Sequence, residues 1–197
     1  RIHEYSVADT VPGQTLGHTR IGENGKPLAK LAAFNMAMGP TASGINIAML
    51  KFCYVDFTPD TDSRVLFSKY KVAMDEIKSR HPTTTLLHVT VPLTDVQSGI
   101  KATVKRWLGK APYGVMENKR REEYNALLRK NYLGREPVFD LAEIESSAPN
   151  GTRAMVEWKG NYIPTLNPVY TEDGSHLNME GRVHAARKLI SVLAQIP

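Results

Sequence analysis

The sequence predicts an α/β fold in which a parallel sheet is covered by helices on both faces. Two runs of strand length, residues 45–54 (INIAMLKFCY) and 85–91 (TLLHVTV), are apolar almost without interruption. That is the pattern of strands buried on both faces rather than on one. The segments between the strand runs carry apolar residues at helical spacing and are long enough to serve as crossovers between parallel strands. Composition agrees: of 197 residues, 42% are hydrophobic and 23% charged, which excludes a disordered, collagen-like or coiled-coil chain. One domain of this length buries a full core, so residues 1–197 are read as a single domain.

Residues 2–7 form a short strand candidate. Gly22-Glu-Asn-Gly25 reads as a turn, and Pro27 stands at the first position of a helix. Leu28, Leu31, Ala32, Phe34 and Met38 form that helix's apolar side, and Gly39-Pro40 ends it. After the strand at 45–54, Thr58-Pro-Asp-Thr-Asp62 supplies capping residues for a helix over 63–80, with Val65, Phe67, Tyr70, Met74 and Ile77 at helical spacing. Pro92 stops the strand at 85–91. Residues 95–116 read as a long loop with a short helix. A helix over 117–133 follows, with Tyr124, Leu127, Leu128 and Tyr132 inward and Gly134 at its end. The next strand is 138–141. Residues 146–170, rich in Pro, Gly and Asn, read as irregular, and a last helix spans 177–194.

The net charge of +5 is modest and spread along the chain. Its densest basic run, Lys119, Arg120 and Arg121, is followed at once by Glu122 and Glu123, the mark of a solvated helix face with internal ion pairs. No basic stripe interleaved with aromatics is present, so no nucleic-acid partner is expected. A single cysteine, Cys53, excludes an intrachain disulfide framework and a cysteine-cluster metal site. Set within an apolar run, it reads as an inert core thiol. The longest apolar stretch, residues 45–57, is broken by Asn46, Lys51 and Asp56 and is too short to span a bilayer. With no signal-peptide pattern either, no membrane partner is expected, and the compartment stays undetermined.

Open parallel sheets place their chemistry in loops beyond the carboxyl ends of the strands. The sharpest feature in such a place is Asp173-Gly-Ser-His-Leu-Asn178, just before the last helix. Three residues separate Asp173 from His176. In a turn, that spacing lets the carboxylate hold one imidazole nitrogen and leaves the other as a general base. The same residues also read as a helix N-cap, with Asp173 or Ser175 satisfying free backbone N–H groups. No second pair of ligands supports a metal there, and neither metal nor cofactor is expected.

Asp-Gly-Ser-His-Leu-Asn-x-x-Gly (Asp173 to Gly181) ahead of an amphipathic C-terminal helix resembles the last conserved block of the SGNH/GDSL hydrolases. The helix NKRREEYNALLR (residues 118–129) followed by Val138-Phe-Asp-Leu-Ala142 is similar to the segment before that block. Ile21-Gly-Glu-Asn-Gly25 resembles the second block. The resemblance implies a three-layer α/β/α sandwich whose five-stranded, mostly parallel sheet has the order 2-1-3-4-5. It also implies a Ser-His-Asp triad containing Asp173 and His176, and an oxyanion N–H from Gly25, which locally also reads as a simple turn glycine. Asn24, Tyr54 and Asp56 are expected at the substrate.

Two blocks depart from the family pattern. Where the third block normally reads Gly-x-Asn-Asp, this chain has Lys51-Phe-Cys-Tyr-Val-Asp56. Asp56 matches the final Asp, but the Asn that completes the oxyanion hole is absent, and one lost donor there costs about 10²–10³ in rate. Tyr54 as a donor, or two backbone donors, would replace it. The first block, Gly-Asp-Ser after the first strand, is not found. Ser6 lacks a following turn glycine, and Ser43, Ser98 and Ser175 do not sit at a strand-to-helix elbow. Four strands are countable. If residues 2–7 are the second strand of the family's sheet, its central first strand is missing. The expectation is therefore that roughly 30 or more residues, the size of a βα unit, precede Arg1 and supply the central strand and the nucleophile.

The function expected from the resemblance is a serine esterase acting on small O-acyl esters, with acetylated carbohydrate as the family's habit suggests. Trp107, Trp158 and Tyr162 are candidate sugar-stacking residues or simple loop packing. A non-catalytic binding module and an O-acyltransferase with the same triad are the alternatives.

Overall fold

The computed structural model describes residues 2–4, 16–40, 42 and 44–197. Two short strands, β1 (Ile2–Glu4) and β2 (Leu16–His18), pair in parallel with each other and form their own sheet. The strand expected at 2–7 thus takes no place in the main sheet among the described residues, and its partner β2, whose three residues include Gly17 and His18, carried no strand signal. Helix α1 (Pro27–Ala37) starts on its proline as read.

The main sheet has three parallel strands: β3 (Ile47–Leu50), β4 and β5. Between β3 and β4 (Thr85–Val89) run a 3₁₀ turn at Tyr54–Asp56 and α2 (Ser63–Arg80). Asp62 caps α2 by accepting hydrogen bonds from the Arg64 and Val65 N–H groups, each at 3.0 Å. Between β4 and β5 (Val138–Phe139) come α3 (Gly99–Trp107) and α4 (Val115–Tyr132). The strand order is β3-β4-β5, with Leu50 opposite His88 and Val89 opposite Phe139.

Strand alternation sends side chains to two helical layers. Ala48, Leu50 and Leu86 pack among Leu31, Phe34, Leu66, Tyr70, Ile77 and Leu128 of α1, α2 and α4. Ile47, Leu87, Val89 and Phe139 face the other way, toward α5 (Leu141–Ser146) and the last helix.

The expected strand 45–54 is cut to four residues, and it is not buried on both faces, since Met49 is 37% exposed. Phe52 and Phe57 plunge into the core beside Tyr124, so the chain between them must turn outward. Cys53 consequently lies at the start of that turn and is half-buried, not sealed in a strand. Residues 138–141 likewise divide: Asp140 accepts a hydrogen bond from the Glu143 N–H and starts α5 where a continuing strand was expected.

The segment read as irregular contains an antiparallel hairpin, β6 (Met155–Trp158) and β7 (Asn161–Pro164). Its two-residue turn has Lys159 at φ 48° and Gly160 at φ 75°, the left-handed pair that matches strand twist. Lysine in the first position hid that signal. Helix α6 (Met179–Leu193) closes the chain, with Ala185, Leu189 and Val192 toward the sheet.

Candidate functional site

Three segments meet at the carboxyl end of the sheet: the loop before α1, the turn after β3 and the loop before α6.

The turn after β3 is built around one carboxylate. Asp56 Oδ2 accepts the Cys53 N–H at 2.7 Å, which closes the 3₁₀ turn, and Oδ1 accepts the Gly25 N–H at 2.8 Å. Lys30 Nζ, reaching from α1, lies 2.7 Å from Oδ2 and 3.0 Å from Oδ1. Both side chains are out of water, at 7% and 0% exposure. The Lys30 ammonium also donates to Asn24 Oδ1 at 2.8 Å. A buried ion pair supplemented by backbone donors therefore ties the loop before α1 to the turn carrying Tyr54.

The chain leaving β4 is fixed by side chains standing in for a neighbouring strand. Asn125 accepts the Val91 N–H at 2.7 Å and donates to the Val91 carbonyl at 3.0 Å, and Asn118 does the same for Thr94 at 3.0 and 2.6 Å. Arg121, one turn from each on α4, donates to Thr94 Oγ1 at 2.9 Å and to the Tyr54 carbonyl at 3.2 Å. Its guanidinium carbon lies 5.7 Å from the centroid of the Tyr54 ring. Burial pushes Arg121 down to about 10, which leaves it charged at neutral pH. Glu145 closes the same layer from α5 by accepting the Leu93 N–H.

Next in line, the Asp95 N–H donates to the Gly174 carbonyl at 2.7 Å and so anchors the loop before α6. The approach is close. Gly114 sits at φ 91° at the start of α4, and a Cβ there would stand 2.6 Å from the Asp95 carbonyl oxygen.

In the anchored loop, Asp173 Oδ1 accepts the Ser175 and His176 N–H groups at 2.8 Å each, while Oδ2 meets His176 Nδ1 at 2.7 Å. The backbone and imidazole donors of His176 and the Ser175 N–H hold the Asp173 carboxyl well below the usual carboxylate range. An ionised Asp173 fixes the tautomer with hydrogen on Nδ1 and leaves Nε2 as the basic nitrogen. Nε2 has no hydrogen-bond partner among the described residues. Asp173 does not cap α6; Asn178 does, accepting the Gly181 N–H at 3.0 Å. The Tyr54 ring packs edge-on against His176, their centroids 5.6 Å apart.

Of the residues singled out from sequence, Asp173, His176 and Tyr54 thus come together, with Gly25 and Asn24 joined to Tyr54 through the Asp56 network. Two placements bear on the expectation. Asp56, expected at the substrate, is only 3% exposed, and both its oxygens are engaged by Lys30 and the backbone. Gly25, expected to offer its N–H to an oxyanion, already gives it to Asp56. Ser98 precedes α3, Ser175 lends its N–H to Asp173, and Ser6 and Ser43 lie outside the described residues.

Lys30, Asn118, Asn125 and Glu145 escaped the sequence reading, and Arg121, read there as part of a solvated helix face, is only 2% exposed because its guanidinium is drawn inward to Thr94 and Tyr54. A usable signal existed for three of them: positions 118, 121 and 125 continue the inward stripe of Tyr124, Leu128 and Tyr132, and polar residues in a buried stripe have work to do.

Beside the anchored loop, a cleft of about 430 Å³ runs between residues 95–99, α3 and β6, with Arg106, Thr103, Met155 and Thr165 among its lining. Trp107 and Tyr162 are exposed on the elements around it, whereas Trp158 is half-buried.

No family model matches the sequence, and no curated protein is significantly similar to it. Solved structures are similar. A Bacteroides fragilis protein assigned as an acylhydrolase superposes with a TM-score of 0.57 at 16% identity, over 93% of this chain and 76% of its own. A Streptococcus pneumoniae protein assigned as a platelet activating factor gives 0.59 at 12%, over 92% and 74%. A GDSL-like lipase of Bacteroides thetaiotaomicron gives 0.53 at 14%, over 91% and 76%. At such identities the likeness is one of fold.

Proposed function

We propose that this chain, which has the SGNH/GDSL hydrolase fold, is a serine esterase in which Asp173 and His176 are two members of a Ser-His-Asp triad. The observation that carries this reading is the 2.7 Å contact between Asp173 Oδ2 and His176 Nδ1, in a loop anchored beyond the carboxyl ends of β3 and β4. His176 Nε2 takes the proton of the attacking serine and later gives it to the leaving alcohol. Asp173 orients the ring and stabilises the imidazolium.

The nucleophile is a serine on a strand that adds to the outer edge of β3, supplied by none of the described residues. Support for that placement is physical. Among the described residues nothing pairs with this edge, Met49 is partly exposed beside it, and Val183 and Ile190 of α6 are exposed on the layer that such a strand and its helix would cover. Such a strand takes position 1 of the order 2-1-3-4-5, beside β3, β4 and β5. With the Gly25 N–H engaged by Asp56, the oxyanion is held by the nucleophile's own N–H and by Asn24. The Asn24 side-chain oxygen is taken by Lys30, and its NH₂ has no partner among the described residues. The substrate is a small O-acyl ester, and the cleft beside Asp95 receives its alcohol part, carbohydrate included.

Turnover of p-nitrophenyl acetate by the full-length protein tests the reading. His176→Ala and Asp173→Asn are each expected to lower kcat by about 10²–10⁴ while leaving the thermal melt in place. Equal turnover in the variants removes both residues from the mechanism, and no turnover by the unmodified protein refutes the esterase.

A further inference from the structure

We infer that α3 is an interfacial helix that docks this protein onto an anionic lipid surface. Ile100, Val104, Trp107 and Leu108 recur at i, i+4, i+7 and i+8 and so share one face. On an ordinary surface helix that face would be turned inward. Here it is turned out, at 85%, 49%, 86% and 57% exposure, while the opposite side holds Ala102 at 4% and carries Arg106 along the wall of the cleft. The helix is amphipathic in the wrong sense for a soluble neighbour.

Charge identifies the occupant. Lys101, Lys105 and Lys110 lie beside or just beyond the apolar stripe, Arg106 lies on the cleft side, and no Asp or Glu occurs between Asp95 and Glu117. Among the described residues none of the four makes an ion pair; Lys105 donates only to the Gln97 side-chain oxygen, at 2.8 Å. A second copy of this chain would bring the same four cations against themselves. An anionic bilayer instead pairs them with lipid phosphates while the stripe enters the acyl boundary, with Trp107 at headgroup depth. No helix among the described residues is long and apolar enough to cross a membrane, so this is attachment from one side. The sequence expectation of no membrane partner rested on the lack of a span and of a leader, and a helix lying in the interface needs neither. The inference stands on α3 alone and is independent of the esterase reading.

The test is flotation of the full-length protein with vesicles of phosphatidylcholine plus phosphatidylglycerol, and with vesicles of phosphatidylcholine alone. Flotation with the anionic vesicles only, weakened by salt, is expected. Lys101→Gln and Lys110→Gln should each lower the partition coefficient about fivefold, and the double variant Ile100→Ser/Trp107→Ser should abolish binding with an unchanged thermal melt. Absence of flotation with anionic vesicles overturns the proposal, as does flotation unaffected by the double variant. A double variant that unfolds overturns it too, because the stripe would then belong to the core. A dimer in light scattering that the double variant dissolves, without flotation, assigns the face to a second copy instead.

Discussion

Replacing Lys30 by methionine isolates the group that joins the loop before α1 to the turn after β3. Methionine keeps the bulk and most of the apolar stem of lysine but removes the ammonium. Asp56 then stays buried at 0% side-chain exposure with two backbone donors, Gly25 and Cys53, and no counter-charge. Removing one member of a buried pair costs about 3–5 kcal/mol, and the two surviving donors place this case near the lower end. About 3 kcal/mol is a large share of the roughly 10 kcal/mol that holds a domain together. With a urea m-value of about 2 kcal/mol/M, the midpoint falls by about 1.5 M. The double variant Lys30→Met/Asp56→Leu removes the stranded charge as well. Its cost should fall short of the sum of the two single changes by about 2 kcal/mol or more. Urea unfolding of the four proteins, followed by circular dichroism, measures both quantities. A Lys30→Met midpoint within about 0.3 M of the unmodified protein, or strict additivity of the double variant, refutes the reasoning.

Two further outcomes follow from buried or crowded positions. Burial pushes the Glu145 carboxyl up to about 8, so the folded protein keeps a proton that the unfolded chain loses at ordinary carboxylate pH. Stability therefore falls as pH rises from about 5 to about 8, by up to about 1.4 kcal/mol per unit, and flattens above that; Glu145→Gln should remove the slope in a pH series of urea midpoints, and an unchanged slope refutes the assignment. Gly114→Ala would set a Cβ 2.6 Å from the Asp95 carbonyl oxygen at φ 91°. It should lower Tm by about 6–10 °C, from about 2–3 kcal/mol of strain and the loosened Asp95 to Gly174 anchor, and an unchanged Tm in calorimetry counts against that anchor.

These positions show where sequence reading reaches and where it stops. The span of α2 was legible to the residue, because Asp62 caps it from two and three positions away and its apolar spacing is regular. The Asp173–His176 contact was legible for the same reason, as both partners lie within one turn of chain. The hairpin of β6 and β7 was not, since Lys159 adopts a conformation that its side chain gives no sign of. The turn after β3 was misread as strand, because Cys53 and Tyr54 continue the apolar composition while their backbone is captured by Asp56.

The sequence by itself determined α1, α2, α4 and α6, the alternation that makes the sheet parallel, and the contact between Asp173 and His176 before α6. Each depends on groups a few bonds apart along the chain, whose meeting is fixed by backbone geometry alone. Tertiary structure alone decided what those groups serve. Gly25 gives its N–H to a carboxylate 31 residues away, Arg121 reaches the Tyr54 carbonyl 67 residues away, and the stripe of α3 faces outward rather than inward. Which partner fills a hydrogen bond across such separations, and which face of a helix meets the core, depend on the packing of every element between.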